Sequence, residues 1–437
     1  MKILLFTSYF YPDEHIGARR WDRLTKYLRR SGHEVYVVAH DNRADYQPSN
    51  HCDGIKRVDL STSVPDRILE RINKIKRDTN LEIRRQTYTL RRNTGITEFY
   101  ILTMALLGKI GRFPNIQWWS SNEMVKAGMD IIRITNIDII IATHPFPGCL
   151  KAAHMLSRIT NIPWVADMRD GWSSYYDLEY RAGSILHWGI TRLEKFYLKS
   201  ASQVVAVNKK LAATLKVDND KIQVISNSFD PEEINQPASD NQSNENSVIK
   251  FAFAGTILKE HCWDIFLAGL DKCLNLNDDF KVVINYFGNS FDILLTHGRA
   301  TGIPDDIFIN NGYVSKEKLQ QELKKADFLI VFGFTGPFGD TVTTGKVFDY
   351  IEAGKPILVI GNPKSELAQL VVNTGIGRVI SDAHGIIDII QVYIKNKATF
   401  VQSLLMTRRE EELNKFSAAE TAKVYSDLLA SILESVQ

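Results

Sequence analysis

The chain has 437 residues, 44% of them hydrophobic and 24% charged, with a formal net charge of +2. That length exceeds a single compact core and predicts two domains. The composition excludes a disordered or fibrous chain, and the near-neutral balance carries no nucleic-acid footprint. Cys52, Cys149, Cys262 and Cys273 are scattered without a CxxC spacing. They read as reduced cytosolic thiols, which argues against a zinc site and a disulfide framework.

The apolar start MKILLFTSYF lacks a long hydrophobic region and a small-residue cleavage site. It reads as a first β-strand rather than a signal peptide. No run approaches the roughly 20 apolar residues of a membrane span. Strand-like runs follow at Lys2–Ser8, Glu34–Ala39, Asp138–Ala142, Pro163–Asp167, Gln203–Val207 and Ile222–Ile225. Helical patterns at Gly17–Arg30, Asn122–Thr135, Cys149–Thr160 and Ser184–Ser200 fill the gaps. Such alternation predicts an α/β fold with a parallel sheet covered on both faces. The segment Val64–Arg112 breaks the rhythm with 11 Lys/Arg against 5 Asp/Glu around an apolar Phe99–Leu107. It reads either as a basic amphipathic insertion for an anionic membrane surface or as a solvated helical excursion.

Pro231–Ser247 has almost no large apolar residue and reads as a linker. The rhythm then restarts with strands at Lys250–Ala254, Lys281–Phe287, Asp327–Phe332 and Pro356–Ile360. Helices are predicted at Trp263–Asn275, Lys316–Lys325 and Ser365–Val372. Two such units make a cleft facing the C-terminal ends of their strands, where ligands bind in these sheets. The most informative stretch is TTGKVFDYIEAGKP, Thr343–Pro356. It predicts a Thr/Gly loop opening into a short helix that ends at Gly354. A helix N-terminus suits a phosphate. Lys346 in the first turn opposes the dipole unless a negative ligand completes the site.

In order along the chain, TSYFYPDEHIGARRWDRLTKYLRRSGHEVYVV, NIDIIIATHPFP, NIPWVADMRDGW, KFAFAGTILK, NNGYVSKEKLQQELKKADFLIVF and TGKVFDYIEAGKPILVI resemble the family 4 glycosyltransferases. The resemblance spans nearly the whole chain. It implies the GT-B fold, two Rossmann-like domains with a cleft between them, and transfer with retention of anomeric configuration. The implied organisation is an acceptor-side domain over 1–235 with the basic insertion 64–112, a linker over 236–247, and a nucleotide-sugar donor domain over 248–415. A C-terminal helix over 416–437 crosses back to the first domain. The Thr-Gly-Lys resembles a subgroup associated with polysaccharide assembly. Departures are present: Thr256 and His261 stand where many members carry Arg and Lys, Thr341 replaces the first acid of a Glu-x7-Glu pair, and Ile16 precedes Gly17.

Transfer from a nucleotide sugar must stabilise a diphosphate leaving group, and Lys346 with the backbone N–H groups of Thr344 and Gly345 is the first candidate. Gly17 lets the first loop approach the same group, and Arg19 or Arg20 in the following turn reaches an anion in the cleft. The resemblance assigns Gly255, Thr256 and Lys259, after the first donor-domain strand, to the donor. It also gives Val314 to the nucleotide base, Asp349 to ribose hydroxyls, and Thr341, Thr343 and Thr344 to sugar or phosphate. His144 follows a strand directly and, by resemblance, contacts the transferred sugar; a backbone-satisfied loop histidine is the plain alternative. Asp167, Arg169 and Asp170 read as an ion-pair network, with Asp170 left open as an acceptor-facing base.

No convincing carboxylate nucleophile for double displacement stands out. The resemblance implies a front-face route in which the leaving phosphate helps deprotonate the acceptor. No DxD signature lies at a strand end, so no obligatory metal is expected. The expected partners are a UDP- or GDP-sugar and a glycan or lipid-linked acceptor, without nucleic acid, at the inner face of the plasma membrane or in the cytoplasm. A catalytically weakened GT-B protein and a nucleotide-sugar epimerase are the alternatives. An NAD dehydrogenase is disfavoured because no G-x-G-x-x-G follows the first strand.

Overall fold

The computed structural model describes residues 1–13, 16–40, 52–58, 118, 121–175, 183–234, 248–258, 260–276, 281–335, 344–396, 400–401, 403–404 and 407–436. The segment 64–112 and the linker 236–247 lie outside these residues, as do Lys259, Thr341 and Thr343.

Seven strands form the first sheet: β1 (Lys2–Thr7), β2 (Glu34–His40), β3 (Gly54–Val58), β4 (Ile139–His144), β5 (Trp164–Met168), β6 (Gln203–Ala206) and β7 (Ile222–Val224). Their order is β3-β2-β1-β4-β5-β6-β7, and every pairing is parallel. Six strands form the second: β8 (Val248–Ala254), β9 (Lys281–Phe287), β10 (Phe308–Asn310), β11 (Phe328–Phe332), β12 (Ile357–Ile360) and β13 (Gly377–Ile380). Their order is β10-β9-β8-β11-β12-β13, again all parallel. The α/β expectation therefore holds in both halves. The central strands are buried end to end, because helices cover both faces of a parallel sheet.

Strand order reverses between β1 and β4 in the first sheet and between β8 and β11 in the second. These are the switch points at whose carboxyl ends ligands bind. Helix α1 (Arg19–Arg30) follows β1, and α2 (Lys346–Ala353) follows β11. Helix α2 stops at Gly354, whose φ of 68° is the left-handed cap that glycine adopts without strain.

Each sheet has two apolar layers. In the first sheet one layer joins Leu4, Phe6, Ile140 and Trp164, and the other joins Ile3, Leu5, Trp21 and Ile141. The second of these layers is completed by the last helix, α3 (Ala418–Val436), through Ala422, Tyr425, Leu429 and Ile432. Trp21 and Tyr425 meet edge to face at 5.4 Å between ring centroids. The chain reaches this position through a backbone pairing of Phe229 with Phe416 and Ala418.

Candidate functional site at the second switch point

Strand β8 ends at Ala254, and Gly255 turns away with φ of 118°. A Cβ at this position would fall 2.2 Å from Lys346 Cε and 2.3 Å from its Nζ. Glycine is required here because L side chains rarely adopt a φ of 118°, and a Cβ would also displace the tip of the lysine that lies over the turn. Lys346 is the first residue of α2, behind Gly345, and no side chain caps that helix end. The N–H groups of Val347 and Phe348 bond the Thr344 and Gly345 carbonyls at 3.3 and 3.2 Å, and this end of the helix carries the positive end of the dipole. The ammonium sits 4.9 Å from the Phe253 ring centroid. Burial pushes the Lys346 pKa down to about 8, against a smaller upward pull from Asp349. Among the described residues, no carboxylate lies within ion-pair distance of it.

A cavity of about 430 Å³ opens in front of this lysine. Gly255, Thr256, Val314, Lys346 and Asp349 line it, all five from the sequence-derived set. His261, Phe287, Tyr313, Lys316 and Phe334 add to the wall from the second domain. Ile16 and Arg19 close it from the first. His261 Nδ1 accepts from the Leu258 N–H at 3.2 Å. Burial, helped by Lys346, lowers its pKa to about 4, so it is a neutral residue at pH 7. Thr344 makes a 3.4 Å contact from its hydroxyl to the Lys346 N–H and supports the loop.

Asp349 is 3% exposed and faces α1. Its Oδ1 accepts from Arg19 at 2.9 Å and from Arg23 at 2.7 Å. Arg23 also pairs with the fully buried Glu352 at 2.7 Å. Glu352 accepts from the Asp230 N–H, and Asp230 pairs with Lys26 at 2.5 Å. A charged seam thus joins the first helix to the helix that carries Lys346. A second cavity of about 370 Å³ lies beside the first and shares Arg19 and Lys316 with it. Asp22 lines this second cavity, its pKa pushed up to about 7 by burial.

The first-domain candidates have a different environment. Arg20 is corrected: its guanidinium faces inward, bidentate on Asp167 at 2.8 and 3.1 Å, and donates to the Ser226 and Ile225 carbonyls. Its neighbour Arg19 is the one that reaches the cleft. Asp167 also accepts from Trp21 Nε1 and Thr143 Oγ1, so its partner is Arg20 rather than the nearby Arg169. Arg169 donates instead to the His144 and Gly17 carbonyls. The His144 ring donates from Nδ1 to the Asp170 carbonyl at 3.0 Å, which fixes the tautomer. Its Nε2 is buried without a partner, and burial drops its pKa to about 3. His144 and Asp170 therefore lie together, but neither they nor Gly17 line the cavity. Arg23, Lys316 and the neutral state of His261 were not assigned from sequence. Their partners lie far along the chain, and no local pattern marks them.

Residues 103–233 match the profile of Glycosyltransferase Family 4. No curated protein matches the chain by sequence. Among solved structures, the fold is similar to Anabaena Alr3699/HepE in complex with UDP-glucose, with a TM-score of 0.60 at 12% identity over 99% of this chain and 100% of that one. It is similar to sucrose-phosphate synthase from Thermosynechococcus elongatus, with a TM-score of 0.59 at 12% identity over 99% of each chain. It is also similar to WaaG, a glycosyltransferase involved in lipopolysaccharide biosynthesis, with a TM-score of 0.56 at 10% identity over 98% and 99%. The family likeness read from the motifs is thus found again in the segment match and in the GT-B fold.

Proposed function

Starting from a chain that carries a Glycosyltransferase Family 4 segment on a GT-B fold, we propose a retaining glycosyltransferase that moves a sugar from a UDP- or GDP-linked donor. Its acceptor is a lipid-linked or growing polysaccharide in bacterial surface glycan synthesis. The observation that carries this is Lys346, held over Gly255 at an uncapped helix start, with a pKa depressed to about 8. A buried cation that has no carboxylate partner among the described residues is an unfavourable arrangement in a free protein. A diphosphate bound in the cavity reverses the cost, because the anion stabilises the charged lysine.

The chemistry then follows from the residues. Lys346 and the positive end of the α2 dipole stabilise the negative charge that develops on the departing diphosphate. Asp349 has Oδ1 bound to two arginines, which orients the carboxylate to accept from ribose hydroxyls. The Val314 backbone meets the base, with Tyr313 beside it on the cavity wall. The buried His144, neutral and with a bare Nε2, can accept a hydrogen bond from a sugar hydroxyl that enters the first-domain wall. The leaving phosphate itself takes the acceptor proton on the front face of the sugar. The protein works in the cytoplasm, peripheral on the membrane through 64–112. The Anabaena structure holds UDP-glucose, which supports a uridine donor, and the involvement of WaaG in lipopolysaccharide biosynthesis supports a surface-glycan acceptor.

The test is a melting panel with UDP, GDP, their sugars and NAD, followed by donor hydrolysis without acceptor. One nucleotide-sugar class should raise the melting point, since it binds only the folded state, and should be hydrolysed slowly. Absence of any shift overturns the proposal. Isomerised sugar without hydrolysis redirects it to an epimerase.

A further inference from the structure

We propose that Arg19, on the first helix of the first domain, is a diphosphate-binding residue of the donor site in the second. This rests on the nucleotide-sugar function above and decides between Arg19 and Arg20, which the sequence left open, giving the chosen one a specific ligand group.

The argument begins with charge. The second-domain wall of the donor cavity offers Lys346 and Lys316, the latter 3.6 Å from Glu233 outside the cavity, against the carboxylate of Asp349. His261 adds no charge at neutral pH, and Thr256 is uncharged. That wall alone leaves a surplus of a single cation facing a doubly charged pyrophosphate. Arg19 supplies the second. It is the one residue of α1 on the cavity wall, and its side chain is 12% exposed. One of its N–H groups donates to Asp349. A guanidinium has five N–H groups in a rigid fork, so the others remain for phosphate oxygens, which match that geometry.

Arg23 provides an internal contrast. It binds the same oxygen of Asp349, yet it donates its other contacts to Glu352 and the Ser228 carbonyl and does not line the donor cavity. Two arginines one helical turn apart therefore share a carboxylate but divide the work. Arg23 holds the domains together, and Arg19 holds the ligand. Binding of the donor then ties the two domains through the ligand itself.

The test compares UDP and GDP with uridine and guanosine, by calorimetry on the full chain, in Arg19→Gln, Arg19→Lys and Arg23→Gln. Arg19→Gln should lose about 10- to 100-fold in diphosphate affinity, the range of a charge-assisted hydrogen bond, with nucleoside affinity unchanged within about twofold. Arg19→Lys should recover part of the loss. Arg23→Gln, which loosens the seam, should move nucleoside and diphosphate affinities together. Undiminished preference for diphosphate over nucleoside in Arg19→Gln overturns the assignment. If Arg19→Gln does not fold, Arg19→Lys decides alone: an unchanged preference, with no fall in salt sensitivity or affinity, sinks it. Failure of the unmutated protein to bind either diphosphate is a separate result that defeats the transferase function itself.

Discussion

The two walls of the cleft treat their charges in opposite ways. On the first-domain wall, Asp167 accepts from Arg20, Trp21 and Thr143, and every group in that cluster is closed on another. On the second-domain wall, Lys346 is held over a glycine with a depressed pKa and, among the described residues, no carboxylate at ion-pair distance. The first arrangement holds a fold together. The second is incomplete until something negative arrives. Both stretches look alike in sequence, a charged cluster just after an apolar strand. The difference between structural and functional charge is therefore one of saturation.

The largest expected effect tests the closed wall. Asp167→Ala leaves the Arg20 guanidinium buried and unpaired, and should cost about 3–5 kcal/mol of folding stability, read from the urea midpoint. A loss under about 1 kcal/mol would show that the cluster is not a structural centre. Next, Lys346→Ala should lower turnover about 100-fold or more while the melting point holds or rises, because an unfavourably buried cation is gone. A variant with full turnover removes Lys346 from the chemistry, and a large drop in melting point places it with the structural charges instead.

A third effect sharpens the contrast through pH. The Lys346 pKa in the folded protein is about 8, below the ordinary lysine value. A bound anion favours the charged form, so binding takes up a proton once the free lysine has lost its own. Diphosphate affinity should therefore be flat below pH 8 and fall as pH rises above it, approaching tenfold per unit. Asp349, Arg19 and Lys316 face the same cavity. His261 has already lost its proton near pH 4. Lys346→Arg should flatten the profile, and an unaltered slope in that variant would assign the titration elsewhere. The smallest effect concerns metal. Turnover in EDTA should stay within about twofold of that with Mg²⁺, since no DxD-type hard-cation site is expected; a large loss would contradict the metal-free route.

Much of this architecture could be read in the chain itself, for a physical reason. Parallel strands covered on both faces are continuous apolar runs, so β4, β5 and β11 stand out by composition alone. The edge strand β3, GIKRV, was missed because half-exposed Lys56 and Arg57 break its apolar signal. The short edge strands β10 and β13 escaped for similar reasons. In the site, Gly255 and Lys346 were legible because each follows its own strand locally. The choice between Arg19 and Arg20 was not. Adjacent residues on a helix point about 100° apart, and only the placement of Asp167 and Asp349, 147 and 330 residues away along the chain, decides which faces the cleft.

The last helix has a consequence for biosynthesis. Tyr425, Leu429 and Ile432 finish a hydrophobic layer begun by Ile3, Leu5 and Trp21, so an early-translated layer waits for a helix made much later. Domains otherwise tend to mature in order as the ribosome delivers them. Here the N-terminal half leaves the exit tunnel with one oily flank bare and stays so until the whole second half has been made. A premature stop anywhere past the linker releases a product that cannot seal its own surface, which makes truncated copies ready clients for chaperones and proteases.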